Sequence, residues 1–334
     1  MRAVVLVGGF GTRLQPLTLS TPKQMLPIID RPMIERVLGS LNAHGVTDAV
    51  LALGYRPDAF LDAYPDGHCA GVELHYAVES EPLDTAGAVR FAALSGGIDD
   101  TFIVVNGDVL TDLDLTELWN FHKGHDAEGT IALTPVDDPS RYGVVPTADD
   151  GRVLEFVEKP APGTAPTNWI NAGTYILEAS VLDRIADGRR VSIERETFPA
   201  MVAERSLYAL HSDAYWIDAG TPVTYLDSQL DLIDGVRGSA ERAVHETATI
   251  LQGAVIDHSV VMAGVVVESG AVIRNSVLLP GSRIGADAHV LHSVIGAGAE
   301  VGAGSEVLDY TVVGNSRDVP AGVRLEGARV PEGS

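Results

Sequence analysis

Residues Val4 to Leu26 read VVLVGGFGTRLQPLTLSTPKQML, and this stretch decides the fold. The opening apolar run, Val4 to Val7, has the character of a buried parallel strand entering a glycine-rich turn. Gly8, Gly9 and Gly11 carry no Cβ, so the backbone can turn tightly there and bring its N–H groups close to an anion. Arg13 and Lys23 add fixed positive charge to the same loop, a combination that suits a triphosphate. Two familiar phosphate loops do not fit. A dinucleotide fingerprint begun at Gly9 and Gly11 needs a third glycine where Leu14 stands, and the Gly-Lys-Ser/Thr ending of a P-loop is absent.

The bulk properties narrow the field. A chain of 334 residues exceeds what one hydrophobic core usually covers, so two domains are expected. The net charge of −23 argues against nucleic acid or an anionic membrane as partner, since both require a basic face. An anionic small substrate remains compatible, because screening over about 8 Å lets a few local cations and a metal set the potential inside a cleft. The single cysteine, Cys69, rules out an internal disulfide framework, fits a reducing cytoplasm and reads as a small buried hydrophobe. The N-terminal apolar run is too short for a signal peptide or membrane span, so a soluble cytoplasmic protein is expected.

From residue 1 to about 235, apolar strands alternate with amphipathic helices, the pattern of an α/β fold with a mostly parallel sheet. Pro32 to His44 reads as the first full helix and Ala49 to Leu53 as the second strand. Leu74 to Val78 then reads as a strand and Thr85 to Leu94 as a helix. In such sheets ligands lie outside the carboxyl ends of the strands. Thr101 to Asn106 is a further buried strand, and it delivers Gly107 and Asp108 at that end. A carboxylate there can hold Mg²⁺, which takes one or two protein carboxylates beside substrate phosphates. The carboxylates from Asp112 to Trp119 read as helix caps and solvated face. Thr130 to Val136 and Leu154 to Pro160 read as strands, the latter ending in Glu158 and Lys159, and Ser192 as a helix cap.

After Gly235 the pattern changes. From Ile250 an aliphatic residue returns every five to six positions with a small residue four later, as in Val267/Ala271, Ile284/Ala288 and Val301/Ser305. This is a hexapeptide β-helix repeat, whose coils must stack because one coil cannot bury its own apolar row. The run through Val313 corresponds to about four coils. His245, His258, His289 and His292 invite comparison with β-helical acyltransferases, but without a partner motif they read as solvated turn residues.

The glycine loop, GFGTRLQPLT followed by Pro22-Lys23, resembles the signature GxGTRLxPLT…PK of the sugar-1-phosphate nucleotidyltransferases. Further segments match that family in order: ESEPLDTAG at Glu79 to Gly87, Tyr142-Gly143, WINAGTYIL from Trp169 and YWIDAGT from Tyr215. The resemblance implies a Rossmann-like nucleotidyltransferase domain over residues 1–235, a linker over 236–249 and a left-handed parallel β-helix over 250–330. It places Leu6, Gly8, Gly9, Gly11, Thr12, Arg13, Glu79, Asp84, Thr85 and Gly107 at the nucleotide. Lys23, Gly143, Glu158, Lys159, Asn171 and Gly173 fall at the sugar phosphate, and Asp108 and Asp218 hold Mg²⁺. Arg13, Lys23 and Asp108 carry the catalysis.

The implied reaction moves a nucleotidyl group from an NTP to a hexose 1-phosphate and releases pyrophosphate, in a homo-oligomer. Glu79 points to GTP, and with it to mannose 1-phosphate. A carboxylate accepts only, so it can take both N1–H and N2–H of guanine, whereas a pyrimidine also needs a donor. Two residues depart from the pattern: Asp84 stands where the family has glycine, and Gln24 after Lys23 resembles thymidylyl members. The competing expectations are a thymidylyl- or uridylyltransferase acting on glucose 1-phosphate, and a silent regulatory paralogue.

Overall fold

In a computed structural model describing residues 1–54 and 56–331, Arg2–Leu6 (β1) lies mid-sheet, with Ala3, Val4 and Val5 enclosed on both faces. Its parallel neighbours are Asp48–Leu53 (β2) and Phe102–Asn106 (β4), with Val72–Val78 (β3) beyond β2. β1, β2 and β4 are aliphatic-rich, as strands covered on both sides must be, while β3 alternates buried and exposed residues. On the other flank the direction reverses. Gly129–Pro135 (β5), Gly143–Val144 (β6), Val157–Glu158 (β7) and Trp169–Leu177 (β8) build an antiparallel wing: β8 pairs with β4, β5 and β6, and β6 with β7. Leu207–His211 (β9) runs parallel to β5. The sheet is therefore mixed, with a parallel centre.

Met33–Ala43 (α1), Asp84–Ser95 (α2) and Leu115–Gly124 (α3) fall where the periodicity placed them. Asp114 caps α3 by accepting from the N–H groups of Thr116 and Glu117, the capping use foreseen for that acidic run. Cys69 is buried, as expected. The strand foreseen over Leu154 to Pro160 shrinks to β7. Leu154 donates its N–H to Pro146, and Pro146 has no N–H to continue the ladder.

The chain divides into two compact units. Met1–Gly9 and Glu35–Trp216 form the first, which holds this sheet; Phe10–Ile34 joins the chain from Ile217 onward in the second. Within the second unit, Pro222–Ile233 (α4) begins with a reciprocal cap between Thr221 and Thr224. From this helix, the Tyr225 phenol donates to the Pro27 carbonyl at 2.5 Å and Gln229 accepts from the Ile29 N–H at 3.1 Å. Those two bonds tie the far end of the glycine-loop segment to α4.

The rest of the second unit is three parallel five-stranded sheets, the build of the expected left-handed β-helix. Five coils stack rather than about four. The periodicity was legible only to Val313, while the last coil, through Asp318–Val319, Arg324–Glu326 and Arg329–Val330, dilutes its aliphatic row with charge. Val244, in the segment read as a linker, pairs with Val261. Val267, Ile273, Ile284, Val290, Ile295 and Val307 form the dry core, and Ala271, Ala288 and Ser305 fill the tight corners with no exposure. At one corner the residues His258, Asn275, His292 and Asp309 all take positive φ, a conformation that Asn, Asp and His tolerate better than most. His258 and His292 each bond to Asn275 between them, which gives these histidines a turn-building role. Among the described residues no helix is long and apolar enough to cross a membrane.

Candidate functional site

In the first unit, Leu6, Gly8, Gly9, Glu79, Asp84, Thr85 and Gly107, of the residues assigned to the nucleotide, lie at or just beyond the carboxyl ends of β1, β3 and β4. Gly8 and Gly9 leave the end of β1 exposed to solvent, and Gly9 takes φ +99°, a conformation natural only to glycine. The Gly107 N–H donates to the Leu6 carbonyl at 2.9 Å, which sets Asp108 beside the end of β1. Asp108 is 8% exposed. Glu79 follows β3; its N–H donates to Leu53 at 2.8 Å and its carboxylate accepts from the Leu83 N–H at 3.0 Å. Burial pushes the Glu79 carboxyl above its ordinary range, and the Leu83 N–H only partly offsets this. The same side chain borders a cavity of about 220 Å³ shared with Leu83, Gly87, Arg90, Phe91 and Asp187.

Asp84 takes φ +61°. A left-handed residue at the mouth of α2 is where glycine costs least, and Asp is among the few side chains that tolerate the region. Its carboxylate turns back to accept from the Thr85 N–H at 2.9 Å. The Thr85 hydroxyl donates to Glu194 at 2.8 Å and accepts from the Ile193 N–H at 2.9 Å. Thr85 thus ties the start of α2 to the turn that Ser192 caps, and Ser192 also donates to Glu194.

The antiparallel wing carries five of the six residues assigned to the sugar phosphate, Lys23 being in the second unit. Gly143 lies opposite Glu158 across β6 and β7, and Val144 opposite Ile170 next door. Between Asn171 and Tyr175 the register with β5 shifts by a bulge, and there Gly173 takes φ +74° against the Asn106 side chain. Asn171 accepts from the Gly173 N–H and donates to the Tyr175 phenol, both at 2.9 Å. Lys159, also at positive φ, pairs with Glu158 at 2.9 Å. Sequence reasoning assigned nothing to Trp216. Its indole N–H donates to the Ala172 carbonyl at 2.8 Å and its ring meets Tyr142 edge-on at 5.7 Å, bracing the Asn171–Gly173 bulge. The signal was present in the YWIDAGT segment, where only the aspartate was read.

In the second unit the loop continues through Gly11, Thr12, Arg13 and Lys23. Gly11 takes φ +61°, and a Cβ there would press on Thr18 at 2.9 Å and on Lys23 at 3.4 Å. The Thr18 hydroxyl donates to the Gly11 carbonyl at 2.8 Å. Thr12 and Arg13 are exposed; the Arg13 guanidinium lies 3.4 Å from Asp218, whose other oxygen accepts from the Gly220 N–H at 2.9 Å. Gln24 is 1% exposed and so belongs to the packing of the loop. Asp108 belongs to the first unit and Asp218 to the second.

Both aspartates offer the hard carboxylate oxygens that magnesium prefers. One trio among the described residues, Asp48, Glu73 and His75, is close enough to share an ion. It lies at the amino ends of β2 and β3, away from the strand ends described above, and Asp48 is already bonded to Arg2 and His75 at 2.8 Å each.

A glycine turn at the carboxyl edge of a mixed α/β sheet, followed by a stack of β-helical coils, defines a nucleotide-handling class of protein. The chain belongs to the nucleotidyl transferase family: residues 2–235 match the family described as "Nucleotidyl transferase" and residues 239–332 the "GMPPB C-terminal domain". It is 41% identical over 264 residues to the mannose-1-phosphate guanylyltransferase of Mycobacterium tuberculosis, covering 76% of this chain and 72% of that protein. It is also 41% identical over 286 residues to the probable mannose-1-phosphate guanylyltransferase 1 of Oryza sativa subsp. japonica, covering 80% and 78%. The crystal structure of HddC from Yersinia pseudotuberculosis complexed with GMP-PN superposes with a TM-score of 0.59 at 31% identity, over 68% of this chain and 97% of that one.

Proposed function

We propose that the protein transfers a guanylyl group from GTP to mannose 1-phosphate, giving GDP-mannose and pyrophosphate. The observation that carries this reading is the 41% identity, across about three quarters of the chain, to proteins named for that reaction. The acceptor-only carboxylate of Glu79 at the end of β3 supports guanine as the base.

A sugar phosphate is already nucleophilic at neutral pH, so no covalent residue or general base is needed. Its oxygen attacks the α-phosphorus in line, the bond from that phosphorus to the bridging oxygen breaks, and the electron pair leaves on pyrophosphate. The protein's part is alignment and neutralisation of charge. Arg13 and the N–H groups of the glycine loop hold the triphosphate, Lys23 the reacting phosphates and Lys159 the sugar phosphate. Glu158, Asn171 and the Gly143 N–H hold sugar hydroxyls, with Gly173 beside them. Mg²⁺, held by Asp108 and Asp218, would supply charge neutralisation at the α-phosphate. The reading extends to a homo-oligomer, paired through exposed β-helix faces, in the cytoplasm, where Cys69 stays a thiol.

The deciding experiment is pyrophosphate release across GTP, dTTP, UTP, ATP and CTP, each with mannose and glucose 1-phosphates. GTP with mannose 1-phosphate should give the highest kcat/KM. A higher value for any other pair overturns the assignment.

A further inference from the structure

Residues 12–25 of the glycine loop contain three isolated helical turns, Thr12–Leu14, Leu17–Leu19 and Lys23–Met25, and none has a side-chain cap. Such turns cannot hold themselves, because a single turn fixes several dihedral angles for each hydrogen bond it makes. Support comes from the β-helix within the same unit. Gly314 and Asn315 form the corner after Val312–Val313, and a Cβ on Gly314 would stand 3.1 Å from Pro16, so the coil abuts the loop. The Asn315 amide nitrogen then reaches the Ser20 hydroxyl at 3.0 Å, and the Leu17 carbonyl and Thr21 hydroxyl at 3.4 Å each.

Two observations make this more than a surface contact. Asn315 Oδ1 accepts the Ala297 N–H from the preceding coil at 2.9 Å, which decides the amide's orientation and aims its two donors at the loop. The register also places Ala263, Pro280 and Ala297 at the same corner of the preceding coils. Of these four aligned positions, the one that meets the loop carries the polar side chain. From the segment it grips, the Thr18 hydroxyl reaches the Gly11 carbonyl, and Gly11 lies against Lys23.

We propose that Asn315 is a positioning residue for the nucleotide: through Leu17, Ser20 and Thr21 it holds the loop in the shape that presents Arg13 and Lys23 to the triphosphate. The inference rests on the reading that this loop binds GTP. It also gives the β-helix a part in the reaction.

The test compares Asn315→Ala and Asn315→Asp with the parent protein. The aspartate keeps the acceptor for Ala297 and loses the donors to the loop, so it separates latching from coil packing. Amide hydrogen exchange on the ligand-free protein should speed up about tenfold in peptides covering 14–25 and stay unchanged in those covering 265–295. The KM for GTP should rise about tenfold in both variants, the scale of one lost hydrogen bond, with the KM for mannose 1-phosphate within twofold. Unchanged exchange in the loop overturns the latch. Faster exchange with an unchanged KM for GTP overturns its role in nucleotide positioning. Absence of GTP-dependent pyrophosphate release in the parent would instead sink the proposed reaction, and the exchange result would still stand on its own.

Discussion

Glu79→Gln offers a sharp test of base selection, because the structure decides how the new side chain must sit. The Leu83 N–H now donates to a Glu79 carboxylate oxygen at 3.0 Å. Only the carbonyl oxygen of a glutamine can replace that acceptor, so its NH₂ is turned toward the position the base would occupy. Guanine's N1–H and N2–H would then face a donor in place of a carboxylate. Hydrogen bonds to a charged partner contribute about 1.5–3 kcal/mol each, so losing one outright and weakening the other costs about 3–4 kcal/mol, or about 10²–10³-fold in kcat/KM for GTP. A pyrimidine, which wants one donor and one acceptor, should gain or hold steady. The measurement is the ratio of kcat/KM for GTP to that for dTTP by pyrophosphate release. The pH dependence adds a second reading. Burial raises the Glu79 carboxyl, so the acceptor is lost by protonation as pH falls, starting above the usual glutamate range. GTP preference should therefore weaken with acidification in the parent and not in the variant. An unchanged GTP:dTTP ratio in Glu79→Gln refutes the reasoning.

Three further outcomes are expected. Asp108→Asn, isosteric at a buried position, should lower kcat by about 10³-fold at saturating magnesium; turnover near the parent's would remove Asp108 from the metal site. Gly173→Ala places a Cβ against the Asn106 amide at φ +74°, a conformation costing about 1–3 kcal/mol for non-glycine residues, so kcat/KM for the sugar phosphate should fall at least about tenfold. An effect on thermal midpoint alone would take Gly173 out of the sugar site. Partial burial pushes the Glu178 carboxyl up, but hydrogen bonds from Lys123, Thr101 and buried His122 overcome this and bring it down from 4.5 to about 2. The stabilisation is full above the ordinary glutamate range and is lost as pH falls toward 2. Discounted for its one-third exposure, Glu178→Gln should cost about 1–2 kcal/mol, or about 3–6 °C in midpoint at pH 7, with the gap closing in acid.

Local pattern carried far where the physics was local. Val4 to Val7 had to be a buried strand, Asp114 had to cap a helix, and the small residues four places after each aliphatic had to fill β-helix corners. Relations between distant segments were not legible. The grouping of residues 10–34 with the C-terminal half rests on Tyr225 meeting Pro27 and Gln229 meeting Ile29, contacts 198 and 200 residues apart. No periodicity encodes them. Asp84 shows a subtler limit. Its side chain suggested a new ligand contact, whereas its φ of +61° shows a backbone demand that the chain meets with Asp instead of glycine. The bulge that lets Asn171 reach Tyr175 likewise depends on register with β5, which alternation alone does not report.

The pairing of Arg13 with Asp218 bears on how substrate would enter. The guanidinium is 60% exposed and 3.4 Å from a carboxylate that the Gly220 N–H also holds. Exposed pairs of this kind contribute only about 0–1 kcal/mol, so the contact costs little to exchange. A triphosphate offers Arg13 several oxygens in place of one carboxylate, with bidentate geometry and more charge. Once Arg13 turns to phosphate, its contact with Asp218 is released. On the proposed reading, triphosphate capture thus exchanges one weak ion pair, and the Gly220 N–H keeps Asp218 in place while Arg13 turns.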